Sequence, residues 1–290
     1  MQLPKSARLT PPGLARLRPR SMLFTLFGDY VYPESGEIRL GALVTLGKVL
    51  GMSETAVRSA VARLARERWI RARRRGRRSF YRLSPAGRAL IEEGTRRIYR
   101  ANGRTWNQRW CLLTYSIPES KRALRDRMRK QLAWLGFGAL GSGIYLAARD
   151  RSDDVRRLAR RVGTVNFART FLAKGVGNTR DAQLVNQCWD LQAIGRAYEA
   201  FIRTYDPRFA KDKMLHRRGK LDDADAFVVR FMLTHDFRRF PFIDPDLPDQ
   251  LLPANWAGKR ARKLFARYHT LLTEGALRFF ESCAWASSSG

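Results

Sequence analysis

Residues that could build a metal site or a disulfide framework are scarce in this sequence of 290 residues, which has three cysteines and three histidines. They are Cys111, Cys188, Cys283, His216, His235 and His269. An odd number of widely separated cysteines fits neither a disulfide framework nor a zinc site, and the histidines lack metal-ligand spacing. We therefore predict no metal, no cofactor and no catalytic residue, in a protein whose free thiols suit a reducing cytosol.

Long apolar runs are also missing. No segment approaches the roughly 20 apolar residues that a membrane-spanning helix needs. The N-terminus, MQLPKSARLTPPGLARLRPR, has basic residues but lacks the continuous apolar core of a signal peptide. We predict a cytoplasmic protein with no membrane partner, a flexible basic arm over residues 1–18 and a disordered tail over residues 284–290.

Acidic residues are the third shortage, because 26 Asp and Glu stand against 56 Lys and Arg, a net charge of +30. Residues 1–100 alone carry 22 Lys and Arg against 7 Asp and Glu, a net charge of +15. Such a charge is self-repulsive unless a polyanion compensates it, so nucleic acid is the first partner to consider. An arginine-rich coding bias is the alternative, and the positions of the charges must decide between the two.

Residues 19–103 are predicted to form a DNA-binding domain that begins with three helices. Apolar residues recur at helical spacing in SMLFTLFGDYV, in LGALVTLGKVLG and in SETAVRSAVARLAR. The three stripes are Met22, Leu26, Phe27 and Tyr30; Leu43, Leu46, Val49 and Leu50; and Val57, Ala60, Val61 and Leu64. Gly51 ends the second helix and Ser53 caps the third, which predicts a helix-turn-helix.

The outer face of the third helix carries side chains that can contact DNA. Arg58 can donate to guanine edges, while Thr55 and Ser59 can bind bases or phosphates. We predict DNA contacts by Ser53, Thr55, Arg58, Ser59 and Arg63. The alternative is an ordinary amphipathic helix with a solvated outer face.

A predicted β-hairpin follows this helix. WIRARRR and RSFYRL are short strand candidates joined through Gly76, which can adopt the positive φ of a tight turn. A helix-turn-helix followed by such a wing is a winged helix, and guanidinium groups on the wing can bind phosphates or enter a narrow minor groove. The predicted wing contacts are Arg71, Arg73, Arg74, Arg75, Arg77 and Arg78. A solvated, solubilising surface is the alternative.

Three separated motifs resemble a known family. SMLFTLFGDYV with LGMSETAVRSAVARLARERWI, then RWCLLTYSIPESKRALRDRMRKQLAWLGFGALGSGIYLAAR, then HDFRRFPFIDPDLPDQLLPANWAG are similar in order to the PaaX-like transcriptional repressors of phenylacetic acid degradation. The resemblance spans roughly residues 20–280. It implies a winged-helix repressor, not an enzyme, which releases its operator when an aryl-coenzyme A thioester, typically phenylacetyl-CoA, binds.

Residues 104–178 are predicted to form a central ferredoxin-like βαββαβ domain. RWCLLTYSIP, GSGIYLAAR and TVNFARTFLA are strand candidates, with helices over residues 119–134 and 153–161. This order of strands and helices resembles that of the small CRISPR-associated ferredoxin-like endonucleases, which place a metal-binding aspartate at the end of the first strand. This chain has Tyr115, Ser116 and Ile117 there, so nuclease activity is not carried over.

Residues 179–283 are predicted to form a mainly helical C-terminal domain for dimerisation and effector binding. DAQLVNQCWDLQAIGRAYEAFIRTY predicts one long helix with a buried stripe, either ordinary core or a homodimer interface. Residues 206–226 are expected to form a loop. The final helix is expected to point Leu264, Tyr268, Leu271 and Phe279 inward.

Cations mixed with aromatic residues suggest where the thioester would bind. Its phosphates need cations and its acyl group needs an apolar slot. The predicted effector contacts are His235, Phe237, Arg238, Arg239 and Trp256. The alternative is that Arg238 and Arg239 pair with Asp236, Asp244 or Asp246 and only hold the loop in place.

The fold class is thus predicted as α+β, with a winged helix-turn-helix, a ferredoxin-like domain and a helical domain. The favoured function is a homodimeric repressor that binds double-stranded operator DNA and an aryl-CoA effector. A basic ferredoxin-like RNA-binding or nuclease protein with a winged-helix docking domain is the alternative. An acyl-CoA enzyme with a DNA-binding head is a third hypothesis.

Overall fold

The computed structural model of the protein describes residues 17–99, 105–176 and 178–285. The predicted arm lies outside these residues except for Leu17, which is buried, and Arg18. Residues 286–290 of the predicted tail also lie outside them, whereas Ala284 and Trp285 belong to the last helix and Ala284 is buried, so the tail prediction is wrong for these two residues. The described residues form two compact units, one from the ranges 17–99, 200–238 and 260–285 and the other from 105–176, 178–199 and 239–259.

Helices make up most of the described chain. In chain order they are α1 (Pro19–Leu26), α2 (Tyr32–Glu34), α3 (Leu40–Val49), α4 (Glu54–Arg66), α5 (Pro85–Ile98), α6 (Arg122–Trp134), α7 (Ser152–Val162), α8 (Asp181–Cys188), α9 (Leu191–Arg217), α10 (Asp223–Phe237), α11 (Phe240–Ile243) and α12 (Ala257–Trp285). The strands are β1 (Glu37–Arg39), β2 (Ile70–Arg75), β3 (Arg78–Leu83), β4 (Trp110–Tyr115), β5 (Gly138–Gly141), β6 (Ile144–Ala147) and β7 (Ala168–Ala173).

The first unit has an antiparallel sheet in the order β1-β3-β2 and a helical core. The three stripes predicted for α1, α3 and α4 are buried, except that Val49 is only partly buried. Phe227 of α10 and Phe280 of α12 belong to the same apolar cluster. Part of the predicted C-terminal domain therefore shares one core with the N-terminal helices.

The second unit contains a four-stranded antiparallel sheet in the order β5-β6-β4-β7. Helix α6 connects β4 to β5, and α7 connects β6 to β7. Their apolar faces bury Met128, Leu132, Val155 and Leu158 against Leu113 of β4. The strands and helices predicted for the central region are present.

The C-terminal helices differ from the prediction in three places. The expected long helix is interrupted at Trp189 and Asp190, because the Asp190 carboxylate accepts from the N–H of Ala193 at 2.8 Å and starts α9. The loop expected over residues 206–226 is much shorter and spans residues 218–222, since α9 runs to Arg217 with Pro207 inside it and α10 begins at Asp223.

The inward face of the final helix is predicted in part. Leu264 and Tyr268 are buried as predicted, and Phe279 is half-buried and packs against the core beside Phe227. Leu271 is only half-buried, whereas Leu272 and Phe280, which were not predicted, are buried. None of the helices in the described ranges has the length and apolarity needed to cross a membrane.

Candidate nucleic-acid interface

A tight turn joins α3 to α4. Gly51 has a φ of +76°, which favours a residue without Cβ, and its N–H donates to the carbonyl of Lys48 at 3.0 Å. The Ser53 hydroxyl accepts from the N–H of Ala56 at 3.2 Å. The predicted end of α3 and the predicted cap of α4 are therefore both present.

Helix α4 has one buried face and one exposed face. The buried residues are Val57, Ala60, Val61 and Leu64, and the exposed ones are Thr55, Arg58, Ser59, Ala62 and Arg63. Gly47 of α3 lets the two helices approach, because a Cβ at this position would lie 2.4 Å from Cγ2 of Val57. The side chains predicted to contact DNA are thus held on the outside by a close helix pair.

Ion pairs hold Arg58 and Arg63 on the exposed face of α4. Arg58 Nη2 lies 2.8 Å from Glu54, which also pairs with Lys48 at 3.0 Å, and Arg63 Nε lies 2.9 Å from Glu67. Hydrogen bonds from Lys48 and Arg58 keep the pKa of Glu54 below its usual value. Exposed pairs of this kind contribute little stability, so a phosphate or a base edge can replace the carboxylate at small cost.

Strands β2 and β3 form an antiparallel hairpin whose turn contains Gly76 at a φ of +59°. Their pairing runs from Ile70 opposite Leu83 to Arg75 opposite Arg78. Side chains alternate between the two faces of a strand, so the buried Ile70 and Leu83 mark the inner face. The outer face carries Arg71, Arg73, Arg75, Arg78, Phe80 and Arg82.

We call Arg71, Arg73, Arg75, Arg78 and Arg82 the arginine face; all five are exposed. Arg71 lies opposite Arg82 and Arg75 opposite Arg78, and like charges directly opposed across strands are destabilising. Only Arg75 is compensated, by Glu37 at 2.6 Å, whereas the other four have no carboxylate partner among the described residues. The arginine face is therefore a surface whose charges a polyanion would satisfy.

Three further arginines of the hairpin are Arg74 and Arg77, which were predicted as wing contacts, and Arg82, which was not. Arg74 lies on the inner-face register but is exposed, and Arg77 lies in the turn. Arg82, which lies outside the arginine run, was not among the predicted contacts. Its position opposite Arg71 in the strand register is the signal that identifies it.

A buried polar cluster surrounds Asp29, in the π-helical segment Phe27–Val31 between α1 and α2. Its carboxylate lies 3.3 Å from Arg230 Nη1 and 3.3 Å from His269 Nε2, and accepts from the Thr234 hydroxyl at 3.0 Å. Burial alone would raise the pKa of Asp29, but the hydrogen bond with His269 and the charge of Arg230 hold that pKa below its usual value. An ionised Asp29 thus connects the N-terminal helices to α10 and α12.

The predicted effector residues are divided between the two units. His235, Phe237 and Arg238 belong to the first unit, and Arg239 and Trp256 to the second. Phe237 is fully buried, and Arg238 donates to the backbone carbonyl of Ser21 at 3.1 Å and to its hydroxyl. Arg238 therefore does not form the alternative aspartate pair, and burial lowers its pKa to about 10.

Two further predicted effector residues, His235 and Trp256, already have contacts within the protein. The imidazole of His235 lies 2.9 Å from the Thr25 hydroxyl. Trp256 is buried, and only Arg239 of the five is exposed. The effector assignment stays a prediction, and most of its residues are engaged elsewhere in the structure.

The nuclease alternative depends on a metal site at the end of β4. Ser116 follows that strand and is exposed. Across the described ranges, no group of three or more His, Cys, Asp or Glu residues is placed to hold a metal ion.

Comparisons with known proteins cover most of the chain. Family models match residues 18–87 as a PaaX-like protein, 103–185 as a PaaX protein central Cas2-like domain and 189–282 as a PaaX-like protein C-terminal domain. The transcriptional repressor PaaX of Escherichia coli (strain K12) is 36% identical over 262 residues, which is 89% of this chain and 82% of the relative. The solved structure of the uncharacterized protein Rv0674 from Mycobacterium tuberculosis has a TM-score of 0.56 at 22% identity, covering 89% of this chain and 97% of that one.

Proposed function

The chain belongs to the PaaX-like family, and we infer that it is a DNA-binding transcriptional repressor of an aromatic-acid catabolic operon of the phenylacetate type. It is a non-enzymatic regulator like its E. coli relative. A repressor acts on the chromosome, so its place of action is the bacterial cytosol. The observation that carries the DNA-binding proposal is the arginine face, where four exposed guanidinium groups lack a carboxylate partner among the described residues.

In this proposal α3, α4 and the β2–β3 hairpin act as a winged helix-turn-helix. The exposed face of α4 enters the major groove, where Arg58 reads a base edge and Thr55, Ser59 and Arg63 position the helix. The arginine face binds phosphates and supplies affinity that does not depend on sequence. The close α3–α4 pair and the register of the hairpin support this division of labour.

The central sheet supports a ferredoxin-like fold for the second unit, since its strand order and its two helical connections are those of a βαββαβ unit. The end of its first strand carries Ser116 where the CRISPR-associated nucleases have a metal-binding acid. We therefore assign this unit a regulatory role and not strand cleavage.

Two further features belong to the proposal. The first is release from the operator by an aryl-CoA thioester such as phenylacetyl-CoA. The second is a homodimer, because a two-fold operator requires two reading helices about one DNA turn, or a multiple, apart.

Fluorescence anisotropy tests the function directly. The wild-type protein is titrated against labelled promoter DNA from upstream of its own gene and against a scrambled duplex of equal length, with and without phenylacetyl-CoA. We expect tighter binding to the promoter and release by the thioester. Equal affinity for the two duplexes would contradict the repressor, whereas promoter preference that the thioester leaves unchanged would contradict the effector alone.

A further inference from the structure

A cleft of about 1050 Å³ lies in the second unit, between α6, the β5–β6 hairpin and residues 188–189. Its volume is at the upper end of the range for small-molecule pockets. No aspartate or glutamate is among the described residues that line it. The proposed DNA interface lies in the first unit and does not include this cleft.

One wall of the cleft is cationic. Arg125, Arg129 and Lys130 project from consecutive turns of α6 and all three line the space. Arg125 is paired with Glu119 at 2.7 Å, but Arg129 and Lys130 have no carboxylate partner within the described part of the chain. Two uncompensated cations beside a cleft without acids favour a ligand that carries phosphate or another strong anion.

Aromatic side chains also line the cleft, among them the buried Tyr145 and the half-buried Tyr115 and Trp189. Tyr115 and Tyr145 stack with ring centroids 5.5 Å apart and planes 21° apart, and their hydroxyls are 3.2 Å from each other. Trp189 also lines the cleft and stacks on Trp110 at 6.2 Å. Aromatic faces of this kind bind planar rings, so phosphate binding and ring binding occur in the same space.

Glycines allow the walls of the cleft to pack closely. A Cβ on Gly138 would lie 2.6 Å from Cβ of Cys188, and one on Gly143 would lie 2.5 Å from the carbonyl oxygen of Tyr115. Gly143 also has a φ of +73°. These close approaches join the hairpin to its neighbours, so the cleft is largely preformed, as small-molecule sites usually are.

The cleft also gives a role to the segment GFGALGSG, residues 136–143, which is not part of the proposed DNA interface. It follows α6 and builds β5 and the hairpin turn, and does not open a helix as a phosphate-binding loop does. At Gly141 a Cβ would meet nothing within 4 Å, so the backbone there is open to a ligand.

We propose that this cleft is a binding site for a small organic phosphate with a planar ring, the chemistry of the adenine nucleotide portion of coenzyme A, and that it is the effector site. The effector role rests on the proposed function, whereas the ligand chemistry rests on the cleft alone. The cleft is a better candidate than the predicted contacts at His235, Phe237, Arg238, Arg239 and Trp256. Of those, only Arg239 is exposed, while two of the three cations of the cleft, Arg129 and Lys130, are exposed and have no carboxylate partner among the described residues.

Isothermal titration calorimetry tests the assignment with coenzyme A and phenylacetyl-CoA as probes. The variant Arg129→Ala/Lys130→Ala removes the two uncompensated cations. The control Arg156→Ala/Arg157→Ala removes two arginines of α7 that are also exposed, each of which pairs with an aspartate. We expect binding at least about tenfold weaker in the first variant and unchanged in the control, from the strength of charge-assisted hydrogen bonds.

Arg129 and Lys130 are exposed, so the variant is expected to fold and to bind promoter DNA like the wild type when no thioester is present. The milder variant Arg129→Gln/Lys130→Gln replaces it if circular dichroism shows a loss of structure. Thioester release of the promoter should then need about tenfold more phenylacetyl-CoA in either cleft variant.

Three results would overturn the inference. The first is that the wild type binds neither probe. The second is that the cleft variant binds the probes as tightly as the wild type does. The third is that the wild type binds single-stranded RNA but not coenzyme A, and that the cleft variant loses the RNA binding. None of these depends on promoter preference. Failure of the DNA-binding proposal is seen separately, as equal affinity of the wild type for promoter and scrambled duplexes.

Discussion

Replacing Asp29 by Asn tests the buried cluster that connects the N-terminal helices to α10 and α12. The Asp29 and Arg230 side chains are 7% and 6% exposed, and the ion pair between them spans 3.3 Å. Asparagine keeps the shape but removes the charge, so the guanidinium of Arg230 is left as a buried charge without compensation. Breaking a buried pair in this way costs about 3–5 kcal/mol. That is a large share of the roughly 5–15 kcal/mol that a folded domain has in total.

Urea unfolding, followed by circular dichroism and tryptophan fluorescence, measures the loss. The control is Asp153→Asn, an exposed residue of α7 with a 73% exposed side chain, where we expect a change below about 0.5 kcal/mol. The double variant Asp29→Asn/Arg230→Met should recover most of the loss, because replacing both partners removes the unpaired charge. A loss below about 1 kcal/mol in Asp29→Asn, or no recovery in the double variant, would refute the reasoning.

Acid adds an independent check of the same cluster. The pKa of folded Asp29 lies below its unfolded value of 3.8, so its contribution to stability is full above that pH and is lost as the pH falls through the lower folded pKa. The wild-type protein should therefore lose more free energy of unfolding between pH 5 and pH 2 than Asp29→Asn does. Parallel curves for the two proteins would contradict an ionised, paired Asp29.

Three further substitutions test the candidate interface. Gly47→Ala should lower the free energy of unfolding in urea by about 1–3 kcal/mol, because its Cβ would lie 2.4 Å from Val57. The control Gly41→Ala in the same helix has open space around its Cβ and should raise that free energy by about 0.4–1 kcal/mol. Equal effects of the two substitutions would contradict the close α3–α4 packing. Ser53→Ala should cost about 1 kcal/mol of stability through loss of the α4 cap, measured in the same way. Arg58→Ala should relax discrimination at one base pair, by about 1–3 kcal/mol in anisotropy with single-substituted promoters, and uniform weakening across all of them would contradict base reading.

Sequence analysis located the elements whose signals are local. The stripe Val57, Ala60, Val61 and Leu64, the Ser53 cap and the Gly76 turn each depend on a few neighbouring residues, and the structure has all of them. The arginine face was found only in part, since the run over residues 71–78 does not by itself give the register that adds Arg82.

Features decided by distant residues could not be found in this way. Asp29 is buried because Arg230, far along the chain, compensates its charge. Helix α9 continues past Pro207 because Phe209 and Asp212 are buried, with the Asp212 carboxylate accepting from Tyr268. The polar, charged sequence of that segment suggested a loop, so tertiary contacts overrode the local signal.

The salt dependence of promoter binding tests the central claim most directly. Anisotropy titrations over a range of salt concentrations give the slope of log affinity against log salt for the wild type, for Arg73→Ala/Arg78→Ala and for the control Arg156→Ala/Arg157→Ala. If the arginine face binds phosphates, the slope of the first variant should be smaller by about two units, about 0.9 for each lost contact, with promoter and scrambled DNA weakened alike and the control unchanged. A slope identical to that of the wild type would contradict the assignment of the arginine face to DNA.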